Sequence, residues 1–481
     1  MIGASLLIGV HWFHPRCSAV VVMDLVGDIG HADQLTSARE ESKVLNAKVK
    51  ELTLRIRELQ CENEALKAEV VLYRVDFARS SIPTLSNDVG DCDVDGRAIS
   101  NSETTNDDDF ITSGNGMYPA DPAVTLPAIH GPSNPLCCAL HPDDTLLATG
   151  GADSNVRLCR WGSALAPGSQ SSVKAVDDSI VISCGAPVIC CAFALVNKGR
   201  GLPIIASGCM DGSVRLAYCG SMEWNNASGE TRLLTLQGDH LGNDDTCMKH
   251  TRYVKTLCWS PSEPILASAS ADGTVQLTCV GNVNNETMTV SIDVIKTMHF
   301  NDAVEAMCFV NNGDTLCCYI RGTSYLSYFD LKDGFKVSKM SLNGGTVGNG
   351  GFNEHVSFAV LAMQPSPCGG KYIALATDTS RNIIMEVGTE RIVRNLYGHK
   401  NDSYSNPKIA WSNNGQYLYG NSQDDNCIFV WDIASTSIVK RLDENYGGHG
   451  GFVRDICSSS HSDTVVSVSF DKSAKVWLRD V

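Results

Sequence analysis

Seven windows of equal length repeat one pattern along the C-terminal part of this chain, and no other feature constrains its fold as tightly. They are TLLATGGADSNVRLCRW from Thr145, PIIASGCMDGSVRLAYC from Pro203, PILASASADGTVQLTCV from Pro264, DTLCCYIRGTSYLSYFD from Asp314, KYIALATDTSRNIIMEV from Lys371, QYLYGNSQDDNCIFVWD from Gln416, and DTVVSVSFDKSAKVWLR from Asp463. Each holds a run of small and apolar residues, a tight turn near an Asp or Gly, and a second run that alternates in polarity. That is a β-hairpin signature. Ahead of each window lies a further strand-like run: LCCALHP, VICCAFA, VKTLCWS, VEAMCFV, FAVLAMQ, KIAWS and VRDICSS.

Three strands per repeat, plus a more variable fourth, make the four-stranded blade of a β-propeller. The expectation is an all-β, seven-bladed propeller over residues 122–481. The seventh repeat stops after its third strand, which leaves that blade one strand short. AVTLPAIH (residues 123–130), just ahead of the first repeat, is a free strand-like segment expected to pair as the outer strand of the last blade. Pro127 is tolerable there, because an outermost strand leaves one edge unpaired.

The repeats resemble those of the WD-repeat (WD40) family over roughly residues 122–481. The last matches best, with His449 in GGHGG, then Val453, Ser469, Asp471 and Trp477 in SFDKSAKVW. The sixth has Gly398–His399, Asp424 or Asp425 after one extra turn residue, and Trp431 in VWD. The third has His250, Ser270 and Asp272, with Thr278 in the usual tryptophan position. Repeats one and two keep Asp153 and Asp211, the fourth has Gly322 there, and the fifth has Asp378 one place early. The resemblance implies that His, Ser or Thr, Asp and Trp form a buried hydrogen-bond network pinning a turn. His449, Ser467 or Ser469, and Asp471 also invite a catalytic-triad reading, but an active site seldom recurs blade after blade. No Gly-rich phosphate loop, nucleophile elbow or paired metal motif accompanies them. His11, His14 and Cys17 have metal-like spacing without a matching partner. No catalytic residue, metal or cofactor is therefore expected.

Binding remains as the expected role. The resemblance implies that peptides dock on the face carrying the turn before each first strand and the turn between the second and third. The expected contacts there are Arg252, Tyr253 and Lys255 in the third blade, and Phe452, Arg454 and Lys472 in the seventh, since aromatic and Arg residues are enriched at hot spots. A plain solvated role is the alternative for each. The insertions near 162–186, 220–249 and 341–356 are alternative docking loops or simply disordered.

The N-terminal part has a different grammar. Residues 1–34 carry no assignable pattern, and residues 35–75 read as a parallel coiled coil. Leu45, Leu52, Leu59 and Leu66 take heptad position d; Val49, Ile56, Asn63 and Val70 take position a. β-Branched residues at a with leucine at d favour two parallel strands, and a buried Asn sets register. A single helix packing on the propeller is the alternative. A DNA-reading zipper extends N-terminally into a dense basic region; here Arg39 and Lys43 are cancelled by Glu40 and Glu41. A net charge of −16 likewise argues against binding phosphate backbones. Residues 76–121, including NSETTNDDDF, are too polar to bury a core and read as a flexible acidic linker.

No segment is apolar enough to span a membrane. The 20 scattered cysteines read as small buried hydrophobes of a reducing compartment, cytoplasmic or nuclear. The expectation is a homodimeric, non-enzymatic scaffold for other proteins, without direct nucleic-acid contact. The alternative is a ubiquitin-ligase substrate receptor, although WDIA and WLRD lack the WDxR pattern such receptors carry.

Overall fold

A computed structural model describes residues 121–478 together with Lys48, Tyr118 and Pro119, apart from the stretches 166–174, 220–232, 239–246 and 344–355 and the positions 195, 198–199, 202, 285, 368 and 403–404. The segment 1–34, the eight heptad residues expected to dimerise and the linker up to residue 117 lie outside the described residues.

Seven main sheets form the blades of a propeller. Their innermost strands are Pro135–Leu140, Val188–Phe193, Val254–Trp259, Val304–Val310, Val360–Pro365, Ile409–Trp411 and Val453–Ser458. Each packs beside the next, and the seventh packs beside the first, so the ring closes. Second strands such as Ile204–Cys209, Thr315–Ile320 and Tyr372–Thr377 are buried at every residue. A neighbouring blade covers each face, so the polar–apolar alternation of a half-exposed strand gives way to a continuous apolar run.

The apolar core is divided into layers, one between each pair of neighbouring blades. Each fully buried Val, Leu or Ile in these layers contributes about 1.5–3 kcal/mol relative to exposure. Many cysteines lie here too: Cys137, Cys184 and Cys209 between blades 1 and 2, and Cys308 and Cys317 between blades 4 and 5. The described cysteines are free thiols.

The closing strand is Pro122–Leu126, which pairs antiparallel with Ala474–Trp477 as the outermost strand of blade 7. Val124 and Leu126 bury their side chains in the layer between blades 7 and 1. Pairing ends one residue before Pro127, whose nitrogen has no hydrogen to donate. The strand is therefore shorter than AVTLPAIH: residues 127–130 form a turn, and Ile129 N–H donates to the Lys472 carbonyl at 3.1 Å.

Parts of the insertion between blades 2 and 3 join the sheets. Leu233 bridges Ala217, and Met248–Lys249 pairs with Ser213–Val214, so both belong to the outer strand of blade 2. Between them the chain leaves that strand, and Thr235–Gln237 pairs in parallel with Thr289–Ser291, becoming a fifth strand of blade 3. Likewise Trp161, Ala175 and Val176, at the ends of the 162–186 insertion, pack into the layer between blades 7 and 1. Among the described residues, no helix is long and apolar enough to cross a membrane.

Candidate functional site

Antiparallel blades place the turn between second and third strands on the same face as the connector that enters the next blade. In blade 7 that face is braced by a buried network. His449 Nδ1 lies 2.8 Å from Asp471 Oδ2, and its Nε2 lies 2.8 Å from Ser467 Oγ, to which Trp477 Nε1 donates at 2.9 Å. Asp471 also accepts from the Ser473 hydroxyl and amide. Burial lowers the pKa of His449, against the pull of the Asp471 carboxylate. The His449 hydrogen bonds hold Asp471 well below the usual carboxylate range despite its own burial. Ser467 is 0 % exposed and His449 2 %, so no substrate can reach a nucleophile here.

Blade 3 builds a variant of this brace. His250 Nε2 meets Ser268 Oγ at 2.8 Å, and its Nδ1 meets Thr274 Oγ1 at 2.7 Å; Thr274 donates to Asp272 at 2.6 Å. Burial opposes ionisation of Asp272, yet the Thr274 hydroxyl and the Thr251 and Thr274 amides bring it down to about 2. Ser270 and Ser469, assigned to these networks from sequence, do not belong to them. Ser469 donates to the Gly451 carbonyl and accepts from Asp471 N–H, and Ser270 makes the matching bonds to Arg252 or Tyr253 and to Asp272. The imidazole reaches one pleat deeper along the strand, to the serine two residues earlier.

His130, overlooked in the sequence because it ends a strand-like run, braces blade 1: Nδ1 to Asp153 at 2.9 Å and Nε2 to Thr149 at 3.0 Å. Its detectable signal is spacing, since Thr149 and Asp153 sit 19 and 23 residues downstream, close to the separations in blade 7.

Blade 6 does not assemble the expected set. Gly420 stands where a serine is needed, and neither ring nitrogen of His399 has a hydrogen-bond partner among the described residues. Burial alone pushes His399 down to about 4. Trp431 Nε1 donates instead to the Tyr397 carbonyl at 2.8 Å, and its ring stacks on Phe429 at 5.6 Å. Asp425 turns away, toward the Ser422 hydroxyl at 3.2 Å and Arg441 at 3.5 Å. Blade 2 loses only the histidine and keeps Ser207 and Asp211, whereas blade 4 loses all three polar members. In blade 2, Cys184 takes the histidine place and meets Ser207 at 3.5 Å. In blade 4, Phe300 packs edge-on to Phe329 at 5.8 Å, and Cys318 and Gly322 replace the serine and aspartate.

Four stretches, residues 124–159, 245–278, 390–432 and 440–477, match the family model WD40: WD domain, G-beta repeat. Each contains one of the four histidines just described, His130, His250, His399 and His449. These are WD40 repeats. The seven-bladed ring fits the same family, and WD40 propellers are typical protein-interaction scaffolds, generally without enzymatic activity.

Six innermost strands of the propeller carry a bulge after their first residue. The extra residue is Lys255 in blade 3, Glu305 in blade 4 and Arg454 in blade 7. Bulges re-aim side chains, and all three lie at the channel end on the braced face. Buried Glu305 is clamped by Lys255 and by Arg321 Nε at 2.6 Å. The Glu305 carboxylate raises the Arg321 pKa. Lys255 also lies 5.6 Å over the Tyr253 ring, while exposed Arg252 donates to the Ala271 carbonyl at 3.2 Å. In blade 7, Phe452 and Phe470 are 44 % and 37 % exposed, with ring centroids 6.5 Å apart. The Arg454 guanidinium lies 5.1 Å over Phe470, its Nε buried without a partner among the described residues, and burial lowers its pKa. Lys472 is exposed at the tip of the same turn with φ +69°. Phe470 and Arg321 were missed in the sequence. Both sit immediately before the turn's Asp or Gly, a position that projects outward.

Proposed function

We propose that this chain is a non-enzymatic interaction scaffold that receives partner peptides or proteins on the propeller face carrying Phe452, Phe470 and Arg454. The observation behind it is the pair of exposed aromatic rings beside an arginine, displayed on a braced turn of a closed ring. Such a side chain trio binds without first having to be ordered, and Trp, Tyr, Arg and other aromatics dominate interface energetics. The serine and histidine that could mimic a catalytic triad are sealed inside blade 7 and serve as a brace. Pairing of two chains through residues 35–75 makes the scaffold bivalent, so two weak contacts act together.

The test is quantitative capture from cell extract with full-length bait, comparing wild type with the double variant Phe452→Ala, Phe470→Ala. Both rings are exposed, so the melting temperature should stay near wild type while the recovered partners drop at least about tenfold, the scale of a 1.4 kcal/mol loss. Equal recovery by a folded double variant removes this face from the reading.

A further inference from the structure

On the opposite face, where the turns joining first to second and third to fourth strands lie, a cleft of about 350 Å³ opens between blades 4 and 5. That volume is at the lower end of the range occupied by ligand sites, about 300–1,000 Å³. Its floor is Tyr328, only 3 % exposed, whose hydroxyl has no hydrogen-bond partner among the described residues. The Gly388 amide and the Cys317 thiol lie close enough to act on it electrostatically, but neither completes a hydrogen bond to it. Burial raises its pKa, so at neutral pH it stays a hydroxyl, able to accept or donate. A bound donor would give this buried hydroxyl the hydrogen-bond partner it lacks.

The walls are rich in acceptors. Asp330 receives the Lys332 and Asp333 amides on Oδ1, at 2.9 and 3.0 Å, which leaves Oδ2 open. Asn311 uses its amide nitrogen on Thr315 at 3.2 Å and keeps its amide oxygen. The lining cation, Lys336, stands 3.8 Å from Asp333. Met340 adds an apolar strip suited to a methylene stem. At Gly388 an added Cβ would meet nothing within 4 Å, so the rim is unobstructed.

We propose that this cleft takes the arginine side chain of a partner peptide, with the guanidinium between Asp330, Asn311 and the Tyr328 hydroxyl and the stem along Met340. The planar guanidinium offers five donors in a fixed fork and no acceptor, which matches an acceptor-rich pocket with a hydroxyl at its base. The chain's net charge of −16 draws a basic segment toward it. The site lies on the face opposite Phe452 and Phe470, so it stands or falls separately from the docking reading above.

The probe is Nα-acetyl-arginine methylamide, followed on the full-length protein by saturation-transfer NMR, with the uncharged citrulline analogue as control. One residue engaging one cleft should bind with Kd near about 1 mM. Tyr328→Phe removes only an unpaired hydroxyl, and Asp330→Asn keeps the Oδ1 acceptor while removing the charge. Both variants should weaken the probe at least about fivefold, while Phe452→Ala, Phe470→Ala leaves it unchanged. Equal binding of the citrulline analogue, or wild-type affinity in a folded Tyr328→Phe protein, overturns the proposal. Should Asp330→Asn fail to fold, Tyr328→Phe and the citrulline control decide it.

Discussion

His449 and His399 hold matching places in adjacent blades and meet different surroundings. One is bonded at both nitrogens; the other faces Trp431 edge-on at 5.2 Å and has no hydrogen-bond partner among the described residues. This difference governs acid stability. His399 titrates near 6.5 when unfolded and at about 4 when folded, so the unfolded chain takes up the proton first as pH falls. Its contribution is intact above about 6.5 and is lost as pH drops toward about 4, where it amounts to roughly 3 kcal/mol. Thermal melts across that window should show the decline, and His399→Leu should flatten part of it. His130, His250 and His449, whose pKa values are also lowered by burial, add to the slope that remains in that variant. An unchanged slope in His399→Leu rules out this assignment. At this scale the sequence was only partly readable. The His and Asp residues of blades 3 and 7 stand out by type and spacing. Ser467 and Ser469 both lie on a suitable strand face, and only the reach of the ring separates them. Gly420 was hidden by the extra residue in the blade 6 turn, which blurs the register that would have shown the missing hydroxyl.

Strands and turns follow rules that a single sequence displays well. All seven hairpins were visible as an apolar run, a turn and an alternating run, because each strand's period reflects which of its faces a neighbouring blade covers. Thr235–Gln237 escaped notice because three residues carry too little periodicity, and their partner strand lies more than 50 residues away in the chain. The closing strand combines both lessons: its pairing was legible, and its end was set by Pro127. Leu126 is fully buried beside Ala474, Val476 and Val466. Leu126→Ala should cost about 2–5 kcal/mol through lost burial and the cavity left behind. Differential scanning calorimetry should register a drop of several degrees; a shift under one degree means that the ring does not depend on this strand.

Across the whole molecule, the propeller presents two faces with different chemistry. One carries aromatic rings and clamped charges, and the other carries an acceptor-lined cleft. Bivalence then depends on the heptads from Leu45 to Val70, and light scattering on the full chain tests it. A mass near twice 51.7 kDa is expected, and Asn63→Leu should alter the oligomer or its register. A monomer at micromolar concentration removes the bivalent part of the proposal.

The detour of the blade 2 outer strand into blade 3 has a mechanical consequence. Most neighbouring wedges of the ring adhere through side chains, and substitutions can loosen them one contact at a time. At Thr235–Gln237 the rim is laced by the main chain itself, through the pairing with Thr289–Ser291. A ring under strain parts at its unlaced joints first, and amide exchange should find the 2–3 joint among the last to open.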